Sequence, residues 1–403
     1  MTTGGGVRGY RELLAAAETR SVVGWGLLAR LPMGMSALAL VLLVRGAGGS
    51  YAGAGIASGA YAIASGVSAP IGGRLVDRRR PTTVLIVYGI ASGLGFAALY
   101  VLAERRAHES VLIVAAIAAG LLAPPISPTI RMMWPSMLPR PELRTTAFAL
   151  EAVLQEVLFV TGPLIVAALT ATVSSSAGVA AAAVAGTVGT IAFACTPAVR
   201  ARRVDSSHDR SSHRLLEALT PWGVRRVLLY SGACGIAFGA AEVAMPAFAE
   251  HHGGRSLGGL ALAAFAGGSL IGGVLGGAAA GASARPQRRL RMISAAFALA
   301  LALPLLAGSM VQMVVIMLIA GLPIAPSFAI TYNLVEAAAV PGTQAEVFGW
   351  ISTSITLTIA FGTAVGGSLI AHVDVDAALV LGIAGAVLAA AISLSSPGEP
   401  VRR

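Results

Sequence analysis

Residues Gly72–Pro81 read GGRLVDRRRP, between apolar stretches at about 52–73 and 82–103. Each flank is long enough to cross a hydrocarbon core, which takes roughly 20 apolar residues as a helix. The polar decapeptide is then a turn at a membrane surface. Gly73 and Asp77 are four apart and share one face at the end of the preceding helix. The small residue lets a neighbouring helix approach, and the carboxylate is offered to whatever that neighbour presents.

The rest of the chain has the same character. Of its 403 residues 56% are hydrophobic and 11% charged, and its mean hydropathy is +0.81. A soluble domain carries about a quarter charged residues. Apolar spans are expected near 21–44, 52–73, 82–103, 111–132, 146–170, 177–198, 226–249, 257–281, 290–309, 311–333, 346–371 and 377–395. Twelve such spans leave only short loops, so an all-α membrane protein without a large soluble domain is expected. The opening residues, MTTGGGVRGYRELLAAAETR, mix charges and lack a short apolar run before a cleavage site, so they read as retained.

All 28 basic residues are arginine and the net charge is +10. Their placement argues for a membrane rather than a nucleic acid. Arg45, Arg105, Arg106 and Arg255 lie in one set of loops, Arg30 lies inside the first span, and the other 23 lie at the termini, in the alternate loops and at span ends on that side. The positive-inside rule then puts both termini in the cytoplasm of a multi-pass plasma-membrane protein. The division expected is an N-terminal six-helix bundle over 1–200, a cytoplasmic linker over 201–223, rich in Arg, Ser and His, and a C-terminal bundle over 224–403. Cys195 and Cys234 sit in apolar stretches and imply no disulfide framework.

The halves look related. A shift of 200 residues aligns Ser127 with Ser327, Pro141 with Pro341, Phe148 with Phe348 and Gly162 with Gly362. Together with Gly73, Leu75, Asp77 and Arg78, this makes the chain resemble the major facilitator superfamily, whose loop signature has those residues. It departs where Arg80 replaces a usual second Gly and Pro81 a usual basic residue. The second copy, Gly276–Arg289, has no Asp. The resemblance implies two six-helix bundles related by a pseudo-two-fold axis, with alternating access to a central site. It also implies a cytoplasmic gate of Gly73, Asp77, Arg78 and Arg131. Asp77 would face the positive N-terminal end of the eleventh span, near Gly342–Val347, and Arg131 of the fourth. The plainer alternative is that Asp77 balances its neighbouring arginines.

Ionisable groups inside spans are costly and are read as functional by default. Arg30 and Glu156 both lie about ten residues into their spans, ~15 Å from the inner ends, so an Arg30–Glu156 pair is expected, with Gln155 nearby. Glu151 lies nearer the cytoplasm. It shares a face with Gln155, while Glu156 is turned by ~100°. These groups are expected to floor a cavity for substrate, protons or both. A static ion pair is the alternative. Glu242, toward the outer end of the seventh span, is a further proton candidate, with Pro246 expected to break the helix beyond it.

Pro124, Pro125 and Pro128 should distort the fourth span and free carbonyls, and Gly321–Asn333 echoes this in the tenth. The eleventh carries Ser352, Thr353, Ser354, Thr356 and Thr358, hydroxyls that often simply bond a backbone. Thr161–Pro163 keeps the Gly-Pro of an antiporter motif without its flanking glycines. No Walker sequence, catalytic constellation or metal cluster is legible, so neither enzyme nor cofactor is expected. The reading is a monomeric secondary transporter exporting a small amphiphilic compound against protons. The alternatives are an importer or facilitator of a small anionic or polar solute anchored by Arg30 and, more remotely, a non-transporting receptor.

Overall fold

The computed structural model describes residues 6–202, 217–252, 258–280 and 286–395. The middle of the expected linker, with His208 and His213, and residues 281–285 of the second loop copy lie outside the described residues. Those described form helices: α1 (Gly6–Leu13), α2 (Ala17–Gly46), α3 (Tyr51–Arg78), α4 (Pro81–Glu104), α5 (Glu109–Leu121), α6 (Ile126–Met137), α7 (Pro141–Thr172), α8 (Ala177–Ala194), α9 (Pro197–Ala201), α10 (Trp222–His251), α11 (Gly258–Ala280), α12 (Pro286–Ala302), α13 (Met310–Gly321), α14 (Ile324–Ala338), α15 (Gln344–His372) and α16 (Val375–Leu394). Twelve candidate spans result, with α5 and α6 sharing one and α13 and α14 another.

The two broken spans follow from proline. Pro124 and Pro125 have no N–H to donate, and the helix stops at Leu121 and restarts at Ile126. Where the helix restarts, the Pro125 carbonyl accepts from the Thr129 N–H at 3.1 Å and from the Thr129 hydroxyl at 2.6 Å. The tenth span breaks at Leu322 and Pro323 in the same way. Both spans run past the ends expected from hydropathy, to Met137 and Ala338. Pro246, by contrast, lies inside an unbroken α10, which corrects the expected break. Cys195 and Cys234 are free.

Small residues set the helix contacts within each half. A side chain at Gly34 of α2 would strike the Leu158 carbonyl of α7, and Gly162 packs on the backbone of Gly34. In the second half Gly362 of α15 packs on the Ile236 backbone of α10. The Gly162/Gly362 correspondence is therefore one helix contact made twice. Phe148 and Phe348 meet each other, ring centroids 6.0 Å apart, as equivalent residues beside a two-fold axis do.

Buried apolar side chains form three clusters. The largest combines both halves and includes Ala29, Val76, Trp134, Phe148, Tyr332 and Phe348. The second draws only on the first half, with Met35, Leu40, Phe96 and Leu112 among its members. The third draws only on the second half, around Met245, Phe248, Met313 and Leu379. Following the helices, the shared core lies toward the end of the molecule that carries the chain ends of the spans, here called the termini end. The separate cores lie toward the far end. The two bundles thus share a buried core at one end and keep separate cores at the other.

Candidate functional site

At mid-span the first bundle buries a polar cluster. Arg30 of α2 donates from both terminal nitrogens to Glu151 of α7, at 2.5 and 3.2 Å, and from Nε to the Gly26 carbonyl at 3.0 Å. Arg30 is 5% exposed and Glu151 0%. The expected Arg30–Glu156 pair is not formed. The reason is rotational: Glu151 and Gln155 point into the first bundle, and the ~100° step of a helix turns Glu156 toward the second. There the Ser269 hydroxyl of α11 donates to it at 2.9 Å.

Arg131 also differs from expectation. α6 continues to Met137, so Arg131 lies above its end and away from Asp77. It donates to the Gln155 side-chain oxygen at 3.2 Å, and its guanidinium lies 4.1 Å from the ring centre of Tyr332 of α14, in the other half. It is 2% exposed, its Nε has no partner, and it joins none of the ion pairs among the described residues. Tyr332 sits at the centre, within electrostatic reach of Arg30, Arg131, Glu151 and Glu156. The hydropathy of the fourth span could not show this, because it ends the span before the helix does.

Below the cluster the bundles are tied at the termini end. Asp77 at the end of α3 accepts from the backbone N–H groups of Ala345 and Glu346, at 3.1 and 2.8 Å. These are first-turn donors of α15 with no intrahelical partner, and the helix dipole favours an anion there. Gly73 makes this possible, since a side chain would strike the Ala345 carbonyl, and Gly349 packs on the backbone of Ala69 and Pro70 in return. Arg78 acts on Glu346, and Arg74 lies 3.9 Å from it. Arg202, not Arg131, is the arginine that acts on Asp77. Further ties are Arg144–Glu336 at 3.3 Å, Thr145–Asn333 at 3.3 Å and Thr353 donating to the Gly66 carbonyl at 2.5 Å. Sequence reading missed Tyr10, whose hydroxyl donates to the Gly273 carbonyl of α11 at 3.0 Å. Burial pushes this hydroxyl up to about 12, so it stays a donor.

Toward the far end, the hydrogen bonds of the described residues stay within one half. Glu242, near Thr363 at 3.4 Å, is an example. Most of the hydroxyl stripe on α15 bonds backbone, as Ser354 does to the Leu228 carbonyl at 2.8 Å.

Residues 25–310 match the model of the Major Facilitator Superfamily. The chain belongs to that superfamily. Solved structures with the same fold include a bacterial homologue of the iron transporter ferroportin in an outward-facing state, with TM-score 0.77 and 15% identity over 94% of this chain and 98% of that one. The human organic anion transporter MFSD10 (TETRAN) is similar too, with TM-score 0.72 and 15% identity over 94% of this chain and all of that one. A comparison with curated protein sequences returned no match. At this identity the likeness is one of fold: twelve membrane-spanning helices in the arrangement of a secondary transporter. Members of the superfamily are transporters and not enzymes, and they bind small-molecule substrates within the membrane.

Proposed function

We propose that this chain exports a small amphiphilic compound by alternating access in exchange for protons, working as a monomer in the plasma membrane with both termini cytoplasmic. The arginine distribution supports that orientation. The joined termini end is then the cytoplasmic gate, and the arrangement is outward-facing. Glu156 carries the coupling assignment, because its hydrogen bond to Ser269 crosses the bundles and involves no cation. A proton there alters both charge and the contact between halves, so it biases the two states differently, as a coupling ligand must. Glu151 is committed to Arg30. The partner of Glu242 among the described residues is Thr363 of its own half. In proteoliposomes screened against a compound panel, Glu156→Gln should abolish pH-driven transport and keep substrate exchange. Retained pH-driven transport would remove Glu156 as the carrier.

One observation favours the anionic-solute reading. Arg30 is neutralised by Glu151, so the anchor passes to Arg131, whose Nε is buried without a partner. The sign of proton linkage separates the two readings. An anion bound beside Glu156 favours its protonated form, and a cation opposes it. Substrate binding that strengthens as pH falls supports the anion. Binding that weakens supports exchange against protons.

A further inference from the structure

At the termini end of the second bundle, α10, α12 and α16 converge around two arginines that transport does not call on. The Ser294 hydroxyl of α12 donates to the Tyr230 hydroxyl of α10 at 3.1 Å, which pins the two helices together. One helical turn nearer the termini end, the same faces carry Arg291 and Arg226. Arg226 is 8% exposed, and the charge that acts on it is that of Arg291. Arg291 donates from Nε to the Ser393 carbonyl at the end of α16, at 3.3 Å, so a helix C-terminus meets part of its charge. Arg226 takes part in none of the ion pairs among the described residues.

Among the described residues, no carboxylate forms an ion pair with Arg226 or Arg291. On α10, Arg225 donates to the Thr220 carbonyl at 3.1 Å and adds positive charge. On α12, Arg289 donates to the Gly276 carbonyl at 3.0 Å, and Arg288 is exposed. The last turn of α16 carries no charged side chain. Glu217, on the short turn before α10, acts on Glu346. Arg226 is buried and Arg291 half-buried, and two like charges brought together this way are costly unless an anion joins them. The surroundings say where that anion comes from. Trp222 at the start of α10 is 51% exposed, and Met292 and Leu299 of α12 are 65% and 72% exposed. An exposed Trp marks a membrane interface, and the other two are lipid-facing.

We propose that Arg226 and Arg291 form a binding site for a phosphate group, carried by an anionic phospholipid headgroup or by free phosphate. Guanidinium groups suit phosphate oxygens through paired N–H donors, and basic pockets between membrane helices on this side take lipid headgroups. The site lies apart from the polar cluster at mid-span, so it is independent of the substrate and coupling assigned above.

The test uses the whole chain in nanodiscs of phosphatidylcholine alone, phosphatidylcholine with phosphatidylglycerol, or phosphatidylcholine with inorganic phosphate in the buffer. Tm is read for the unmodified chain, Arg226→Gln, Arg226→Gln with Arg291→Gln, and Arg288→Gln. Phosphatidylglycerol should raise Tm in the unmodified chain and in Arg288→Gln, and the rise should be lost in the double variant. In phosphatidylcholine alone, Arg226→Gln should unfold no earlier than the unmodified chain, because a like-charge contact has been removed; a purely structural arginine would show the opposite. An equal rise with inorganic phosphate assigns the site to the free ion, and a rise with phosphatidylglycerol alone assigns it to the lipid. No rise with either additive overturns the proposal, as does a rise that the double variant keeps.

Discussion

Arg30 and Glu151 show how burial changes what a residue is worth. A carboxylate with no exposed surface is tolerated because a guanidinium meets both of its oxygens. Removing one partner leaves the other uncompensated, at about 3–5 kcal/mol. Arg30→Met or Glu151→Leu should each lower thermal stability by that order. The double variant should recover most of it, measured as unfolding of the purified protein. Additive losses would mean the pair does not act as a unit. Glu156→Gln should cost only about 0.5–1.5 kcal/mol, the net worth of a single hydrogen bond. A loss as large as that of Arg30→Met would place Glu156 in the ion pair after all.

At the scale of elements, the contact between α3 and α15 depends on a carboxylate and two glycines. Asp77→Asn keeps the shape and loses the charge that the α15 amides receive. Hydrogen bonds to charged groups contribute about 1.5–3 kcal/mol, and each 1.4 kcal/mol is about tenfold in a population ratio. Spin-label distances across the termini end should lengthen in Asp77→Asn by population shift. Unchanged distances would remove the latch. Gly73→Val tests the same contact sterically, since its side chain meets the Ala345 carbonyl. Overpacking of this kind costs about 1–3 kcal/mol, felt only while the termini end is closed. Gly59→Val on the same helix meets nothing within 4 Å and should leave the distances alone.

At the scale of the molecule, one shared core and two separate ones describe a body that opens at the termini end only by parting the shared core. Cysteines paired at Thr145 and Asn333, whose side chains meet between the bundles, should cross-link, stop transport, and release it on reduction. Transport that continues when cross-linked would show that this end need not open. Orientation is tested separately. A cysteine at His372 should react with an impermeant reagent from outside the cell, and one at His208 should not. The reverse pattern would invert the gate and the direction assigned to export.

Hydropathy and arginine placement are additive along the chain, so twelve spans, their approximate ends, the related halves and the membrane setting were all legible in the residues. Proline chemistry is local, and it announced the breaks at Pro124 and Pro323. Asp77 toward the start of α15 was legible too, because a turn carboxylate and a helix N-terminus attract whatever the detailed packing. The partner of Arg30 was not. Depth along a span can be counted from its ends, but the direction a side chain points depends on how two helices are rotated and crossed. That is set by contacts such as Gly34 on Gly162, far away in sequence. Hydropathy also ends a span where polarity begins, which hid the last turns of α6 and moved Arg131 from the gate to the side of Tyr332. Only tertiary structure brings Glu156 to Ser269 and Arg226 to Arg291, because each meeting is made by helices that no local pattern pairs.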